Sequence, residues 1–415
     1  MNASSREAFV TAHVVWPDFL IQRVADTAMV SHSRLIYLDN AATTFPKPPE
    51  VLEEMLETYK RLGVSPGRGS YDLAVQCERY VQEVRSQVSD FFGGDSPDRV
   101  AFAYNSTDAL NTVILGLIDP GCHVVSSRLE HNSVLRPLHY LRDQGLITFD
   151  LVSFDANGFI DPQDVAGFIK PTTKFVILNH VSNVLGTIQP VSEVGRICAE
   201  RSIPLILDVS QSAGIVPIDM RAMHVHAVAF TGHKSLMGPT GIGGLVLREG
   251  IDVRAVRFGG TGFESWSPEH PETYPYRLEA GTLNVMGIIG LSAGLRYLDR
   301  GGMETMYHQE MSLARTLRDG LAAMKKVRTY CAESLDNHIA VLTCNVENLD
   351  PEDFATILDG DFDIATRSGL HCAPLVHEDL GTSPRGGVRF SLGPSNSADD
   401  ISVALSAVRT IASSC

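Results

Sequence analysis

The chain has 415 residues, with 49 acidic against 34 basic side chains, a formal charge of −15, and a composition 44% hydrophobic and 20% charged. An acidic balance excludes nucleic acid or an anionic membrane as the main partner, since both reward a basic surface. No stretch approaches the roughly 18–20 uninterrupted apolar residues of a membrane span, and at roughly 150 residues per domain the length implies two or three domains.

Residues 1–34 have poor periodicity and read as an N-terminal extension. Met29 lies just before the first confident strand, and an early start codon or an arm packed on the body fits equally. That strand, Leu35–Leu38, runs into the turn-rich segment 39–44. Pro48–Leu62 then places Val51, Leu52, Met55, Leu56, Tyr59 and Leu62 at helical spacing, with proline in the first turn. A strand is predicted at Val100–Ala103, a helix opening at Ser106, a strand at His123–Ser126, a helix at Asn132–Leu141 and a strand at Ile147–Phe154. Lys174–Leu178 and Pro204–Leu207 are short continuous apolar runs, as in strands buried on both faces. This alternation predicts a three-layer α/β domain with a mostly parallel sheet over 35–290. Beyond it, a helical stretch at Leu291–Met324, broken near Gly301-Gly302, precedes strands near 338–343, 363–367 and 387–391 and a closing helix at Ala398–Ile411. A smaller α+β domain over 291–415 follows, with 35–47 packing on it. A ligand is expected where the two meet.

The seven cysteines, at 77, 122, 198, 331, 344, 372 and 415, are dispersed without a C-x-x-C pair. That suits a reducing compartment and fits neither a disulfide framework nor a structural zinc site, so no metal is expected. The first residues, with Glu7, Pro17 and Asp18, do not read as a signal peptide, which makes the cytoplasm the expected location.

Four places carry chemistry. Lys234 follows His233 and precedes four glycines within ten residues. Such a lysine serves either as a Schiff-base amine or as a phosphate cradle, although the Walker pattern is absent. Asp208 ends the strand at 204–207, at the sheet edge where open α/β folds bind ligands, and either meets a cation or caps the next turn. Ser106 and Thr107 open a helix directly after a strand, which makes either an anion site or a simple cap. His131, also between strand and helix, can stack on an aromatic ring, relay a proton or merely be hydrogen-bonded. Together a lysine for an aldehyde, a carboxylate for a ring nitrogen, a helix start for a phosphate and an imidazole for a ring face describe a site for pyridoxal 5'-phosphate.

Further segments strengthen this reading: 37–44 (YLDNAATT), 130–133 (EHNS), 182–187 (SNVLGT), 208–214 (DVSQSAG), 231–234 (TGHK), 277–284 (RLEAGTLN) and 367–374 (RSGLHCAP). With them the chain resembles the class V aminotransferases of fold-type I pyridoxal-phosphate enzymes, and within that family the cysteine desulfurases. The short distance from Cys372 to Arg389 resembles the compact-loop, SufS-like branch. The resemblance implies that Lys234 binds the cofactor covalently, His131 stacks on its ring and Asp208 holds the ring nitrogen. Asn183 and Gln211 would approach its phenolic oxygen or the substrate, while Ser106, Thr107, Thr231 and His233 would hold its phosphate. Thr282 would reach the phosphate of a neighbouring subunit, which implies a homodimer. Arg389 would bind the carboxylate of L-cysteine, with Arg367 as the other candidate, and Cys372 would take the sulfur as a persulfide for an acceptor protein. His371 or Arg367 would favour ionisation of Cys372. A selenocysteine lyase and another class V aminotransferase, lyase or epimerase are the competing implications. Leu370 stands where the compact-loop branch usually has a second histidine, Leu283 where proline is common, and Asn105-Ser106 replaces a glycine-threonine helix start.

Overall fold

The strands of the main sheet send alternate side chains into two different cores, which is what the period-two geometry of a strand requires when both faces are covered. Val125, Val176, Leu178, Leu205, Leu207, Val228 and Phe230 enter one core. Their chain neighbours Val124, Phe175, Ile177, Ile206, Ala227 and Ala229 enter the other. The computed structural model describes residues 35–415 apart from Arg68. The extension read at 1–34 lies outside the described residues.

The elements follow in chain order. The first part has β1 (Ile36–Tyr37), α1 (Pro49–Leu62), α2 (Asp72–Phe92), β2 (Val100–Ala103), α3 (Ser106–Leu117), β3 (Cys122–Ser127), α4 (Asn132–Asp143) and β4 (Ile147–Val152). Next come α5 (Pro162–Phe168), β5 (Thr173–Asn179), α6 (Val191–Glu200), β6 (Leu205–Asp208), β7 (Ala227–Thr231) and β8 (Gly243–Leu247). The last part has α7 (Val285–Gly301), α8 (Met303–Ala322), β9 (Val327–Thr329), β10 (Val341–Val346), α9 (Pro351–Phe362), β11 (Ile364–Ala365), β12 (Arg367–Gly369), α10 (Pro374–Asp379), β13 (Gly387–Ser391) and α11 (Ala398–Ser414).

The main sheet has the order β2-β8-β7-β6-β5-β3-β4. Only β8 runs against its neighbours β2 and β7, so the other strands present their C-terminal ends at one edge. The expected α/β class with a mostly parallel sheet is what the chain adopts. Helices α2, α6 and α7 cover one face, while α3 and α4 cover the other. A second, antiparallel sheet, β12-β13-β10-β9, has its own core with α8, α9 and α11. Ile36 and Leu38 join that core, and β1 pairs in parallel with β11. Helix α7 runs through position 290, and Ile36–Cys415 forms one compact unit.

Two glycines show why the sheet edge is shaped as it is. Gly214 has φ +93°, and a Cβ there would lie 2.2 Å from the carbonyl oxygen of Ser235, next to Lys234. Gly386 has φ +82°, and its Cβ would lie 2.0 Å from the carbonyl oxygen of Gly369 on β12. Neither approach tolerates a side chain.

Candidate active site

The C-terminal ends of the parallel strands β2, β3, β5, β6 and β7 converge on one cavity of about 280 Å³. Ser106, Thr107 and His131 line it together with Asp208, Gln211 and Lys234. Asn183, Thr231 and His233 complete the main-sheet side, and Arg367 and Arg389 enter from the second sheet. Residues singled out separately along the chain are therefore in one place.

Lys234 is half-buried at the cavity wall, and desolvation pushes its amine down to about 8 against the opposing pull of Asp208. A partly unprotonated amine is the state that an aldehyde requires. Asp208 is fixed by its own turn, with Oδ1 accepting from the amide of Ser210 at 2.9 Å. Among the described residues, Thr231 Oγ1 and His233 Nδ1 are buried without a protein partner, as is Asn183 Oδ1. Unmatched polar atoms in a cavity cost free energy unless a bound molecule meets them.

At the start of α3, Asn105 caps the helix by accepting from the amide of Asp108 at 3.0 Å. The amides of Ser106 and Thr107 then belong to the first turn, which has no intrahelical acceptors. Thr107 Oγ1 lies 2.6 Å from Ser133 Oγ, and Ser133 Oγ lies 2.8 Å from His131 Nδ1. His131 caps α4, because Nδ1 accepts from the amide of Ser133 at 3.0 Å. Burial above all pushes its pKa down to about 4, with Asp208 opposing. A neutral ring that accepts at Nδ1 keeps its proton at Nε2.

The motif 37–44 straps the turn that carries Lys234. Thr43 Oγ1 and the amide of Thr44 donate to the carbonyl of His233 at 3.0 and 3.2 Å, and Lys47 Nζ donates to the same oxygen. Gln211 donates from Nε2 to the carbonyl of Ala41 at 3.0 Å, so one of its amide hydrogens serves the strap. Arg389, 1% exposed, donates to Asp39 Oδ1 at 2.7 Å and to the carbonyl of Asn183 at 3.0 Å, leaving Nε without a partner among the described residues.

Cys372 is not among the residues lining the cavity, but His371 is. Its turn is tied to the main sheet by two bonds: Asn183 Nδ2 donates to the carbonyl of His371, and the amide of Asn132 to that of Cys372, both at 2.7 Å. Arg367 Nη2 lies 3.8 Å from the Cys372 sulfur. Burial instead pushes Cys198 and Cys344 up to about 12 and Cys331 to about 11. Thr282 lies elsewhere, in a second cavity of about 180 Å³ with Arg85, Phe263 and Glu279. Among the described residues, no cluster of His, Cys, Asp or Glu could hold a metal ion.

Sequence reasoning named no role for Asp39, Glu130, Ser133 or His377. Asp39, Glu130 and Ser133 sit inside quoted motifs, which was the available signal. Glu130 is fully buried, accepts from Ser127 Oγ at 2.6 Å and from the amide of Asn179 at 3.0 Å, and is pushed up to about 8 by burial. His377 lies in no quoted motif.

The sequence pattern of the aminotransferase class-V family matches residues 36–403. The chain belongs to that family. It is 34% identical to a probable cysteine desulfurase of Methanothermobacter thermautotrophicus over 88% of this chain and 92% of the relative. A probable cysteine desulfurase of Pyrococcus abyssi is also 34% identical, over 92% of this chain and 95% of its own length. Among solved structures, the apo cysteine desulfurase from Thermococcus onnurineus NA1 superposes with a TM-score of 0.86 at 33% identity, covering 98% of this chain and all of that one (100%). The Escherichia coli cysteine desulfurase CsdA, determined as its S-sulfonic acid, gives 0.81 at 25% identity over 93% of this chain and 97% of its own.

Proposed function

We propose that the protein is a pyridoxal-phosphate-dependent cysteine desulfurase, which converts L-cysteine to L-alanine and takes the sulfur onto Cys372 as a persulfide for transfer to an acceptor. The single observation that carries this is the meeting of Lys234, Asp208 and Arg389 in one cavity, with the turn of Cys372 tied to its wall by Asn132 and Asn183. Residues 35–290 would then supply the cofactor site, and 291–415 the sulfur acceptor.

The residues fit the cofactor. The unpartnered Thr231 Oγ1 and His233 Nδ1 and the first turn of α3 offer hydroxyl, imidazole and amide groups to a phosphate. Ser106 and Thr107 open that turn. Asp208 matches a protonated ring nitrogen, the neutral His131 matches the ring face, and Asn183 and Gln211 are left for the phenolic oxygen or the substrate. When bound, the group supplies an aldehyde that links to amines and a ring that accepts electrons from the substrate α-carbon.

The chain's own groups do the rest. Lys234, with its amine near 8, holds and returns the proton of the substrate α-carbon. Arg389 meets the substrate carboxylate with its fork. The Cys372 thiolate, beside the Arg367 guanidinium, attacks the substrate sulfur. A sulfur–sulfur bond forms as the carbon–sulfur bond breaks, and the electron pair returns to the β-carbon, which is protonated and leaves as alanine.

The proposed assembly is a homodimer in which Thr282 serves the neighbouring site. α1 exposes Leu52, Leu56 and Tyr59, α2 exposes Val75 and α7 exposes Met286, an apolar surface that a second copy would cover. Among the described residues, no helix is long and apolar enough to cross a membrane. The location we propose is the cytoplasm. The compact segment from Cys372 through α10 to β13 supports placement in the short-loop branch.

The test is to incubate the purified yellow protein with L-cysteine and L-selenocysteine, measure alanine, and locate the persulfide by mass spectrometry. Alanine from cysteine with sulfur on residue 372 is the expected result. Release of sulfide without a protein persulfide would leave a different lyase.

A further inference from the structure

The turn that carries the sulfur acceptor is held in an unfavourable conformation. His371 and Cys372 take φ +50° and +57°, the left-handed region, in succession. Such a conformation is unfavourable for a residue other than glycine and persists only where surrounding contacts determine it. Asn183 and Asn132 hold the two carbonyls, as described above. The imidazole of His371 supplies a third restraint.

His371 Nε2 lies 3.1 Å from the carbonyl oxygen of Arg367. A carbonyl only accepts, so Nε2 carries the ring proton. His371 Nδ1 lies 3.3 Å from His377 Nε2, and His377 Nδ1 lies 2.8 Å from Thr382 Oγ1. In a neutral ring with its proton at Nε2, Nδ1 accepts, so His377 must donate from Nε2. His377 Nδ1 then accepts the hydroxyl proton of Thr382. The hydroxyl also has the carbonyl of His377 in reach at 3.3 Å, so the order of protons is fixed between the two rings and not at the threonine. A second proton on His371, at Nδ1, would set two N–H groups head to head.

Burial favours the neutral rings. His371 is 3% exposed and His377 is fully enclosed at 0%. Burial, with the nearby Arg389, drives His371 well below the ordinary histidine range, and burial alone takes His377 down to about 4.

We infer that His377 is a positioning residue for sulfur transfer: with Thr382 it locks His371 in one neutral tautomer, whose Nε2–H holds the main chain at Arg367. Arg367 is the residue whose guanidinium lies 3.8 Å from the Cys372 sulfur. Its strand is also registered on β13, with Arg367 opposite Arg389. The histidine beside the acceptor cysteine is thus committed to geometry and does not take the thiol proton. Cation and sulfur are set against each other by a ring that stays neutral.

The inference rests on Cys372 as the sulfur acceptor, and two measurements keep the two claims apart. In holoenzyme labelled with ¹⁵N-histidine, His371 and His377 should each show a protonated Nε2 and a bare Nδ1 from about pH 6 to about pH 8. A His371 protonated at Nδ1 would overturn the proposal. His377→Leu should lower kcat for alanine formation by about tenfold or more, with KM for cysteine little changed, because misplacement acts on the reacting atoms. The same variant should slow alkylation of Cys372 by iodoacetamide. His377→Gln, whose amide can still donate to His371 Nδ1, should recover most of both rates. Equal losses in the two variants would reduce His377 to shape filling and end the proposal, as would unchanged rates in both. A wild-type persulfide on another cysteine would remove the acceptor reading and leave the nitrogen measurement to judge the tautomers.

Discussion

Asp39 Oδ1 lies 2.7 Å from Nη2 of Arg389, joining residues that are 350 positions apart in the chain. The guanidinium is buried, and its other terminal nitrogen donates to the carbonyl of Asn183 at 3.0 Å. In the proposed role, the fork is therefore oriented before a substrate arrives. Preorganised donors do not spend binding free energy on ordering themselves.

Arg389→Lys should raise KM for cysteine by about tenfold or more and leave the visible spectrum alone, since an ammonium cannot make two parallel bonds to a carboxylate. Unchanged steady-state kinetics would pass the role to Arg367. Asp39→Ala should cost about 3 kcal/mol in denaturant unfolding, because it leaves a buried guanidinium without its counter-charge. Asp39→Asn, which keeps an acceptor, should cost less. Equal losses in the two variants would mean that the charge of Asp39 contributes and its hydrogen bond does not.

Lys234 is expected to be the covalent anchor. Its amine, taken down to about 8 chiefly by burial, is set for an aldehyde. The wild type should be yellow after reconstitution with pyridoxal phosphate. Lys234→Ala should lose the band of the lysine-linked cofactor, while an equilibrium dialysis experiment still detects binding through the phosphate groups. A colourless wild type would end the cofactor reading.

Much of this site is legible in the sequence because its residues stand at strand ends and helix starts, which local patterns reveal. Val100–Ala103, the helix start at Ser106 and the break at Gly301-Gly302 fall where the pattern puts them. Helix α2 is not among the predicted elements, although Ala74, Cys77, Val81, Val84 and Val88 carry a helical stripe. β8 begins at the last two of the four glycines that follow Lys234, which gave no strand signal. It is a strand because Gly243 and Gly244 pair with Thr231 and Phe230 on β7. The Asp39–Arg389 pair and the His371–His377 link depend on how distant segments meet or on a single turn's dihedral angles. No periodicity encodes either. His371 illustrates the difference: its place beside Cys372 suggests an activating cation, whereas its surroundings keep it neutral.

Glu310 offers a test of burial through pH. It lies on α8 at 6% exposure, and desolvation alone raises its pKa to about 8. An acid whose folded pKa exceeds its unfolded value keeps an extra proton in the folded state between those two values. Stability from this group is therefore greatest below about pH 4.5 and is lost as pH rises toward about 8. Glu310→Gln removes the titration. It should raise the melting temperature more at pH 8 than at pH 5, by an amount equivalent to about 2–4 kcal/mol. An equal shift at both pH values would show that Glu310 ionises in the fold as it does in water.

Cys372 decides the function. Burial makes Cys198, Cys331 and Cys344 poor thiolates, while Cys372 has a guanidinium at 3.8 Å and its main chain is tied to the wall of the cavity. Cys372→Ala should bind the cofactor and still give a spectral response to cysteine, since Lys234, Asp208 and Arg389 are untouched. It should form little alanine, because no thiolate is placed to receive the sulfur as the carbon–sulfur bond breaks. The wild type given cysteine without reductant should carry one added sulfur on the peptide containing residue 372. Added thiol should remove that sulfur and restore turnover. Arg367→Met should slow the transfer by about tenfold, by taking away the guanidinium that lies 3.8 Å from the Cys372 sulfur. If Cys372→Ala made alanine and sulfide at the wild-type rate, the attack would not be on sulfur. The site would then be that of another lyase of the same family, with the cysteine no more than part of the turn that presents Arg367.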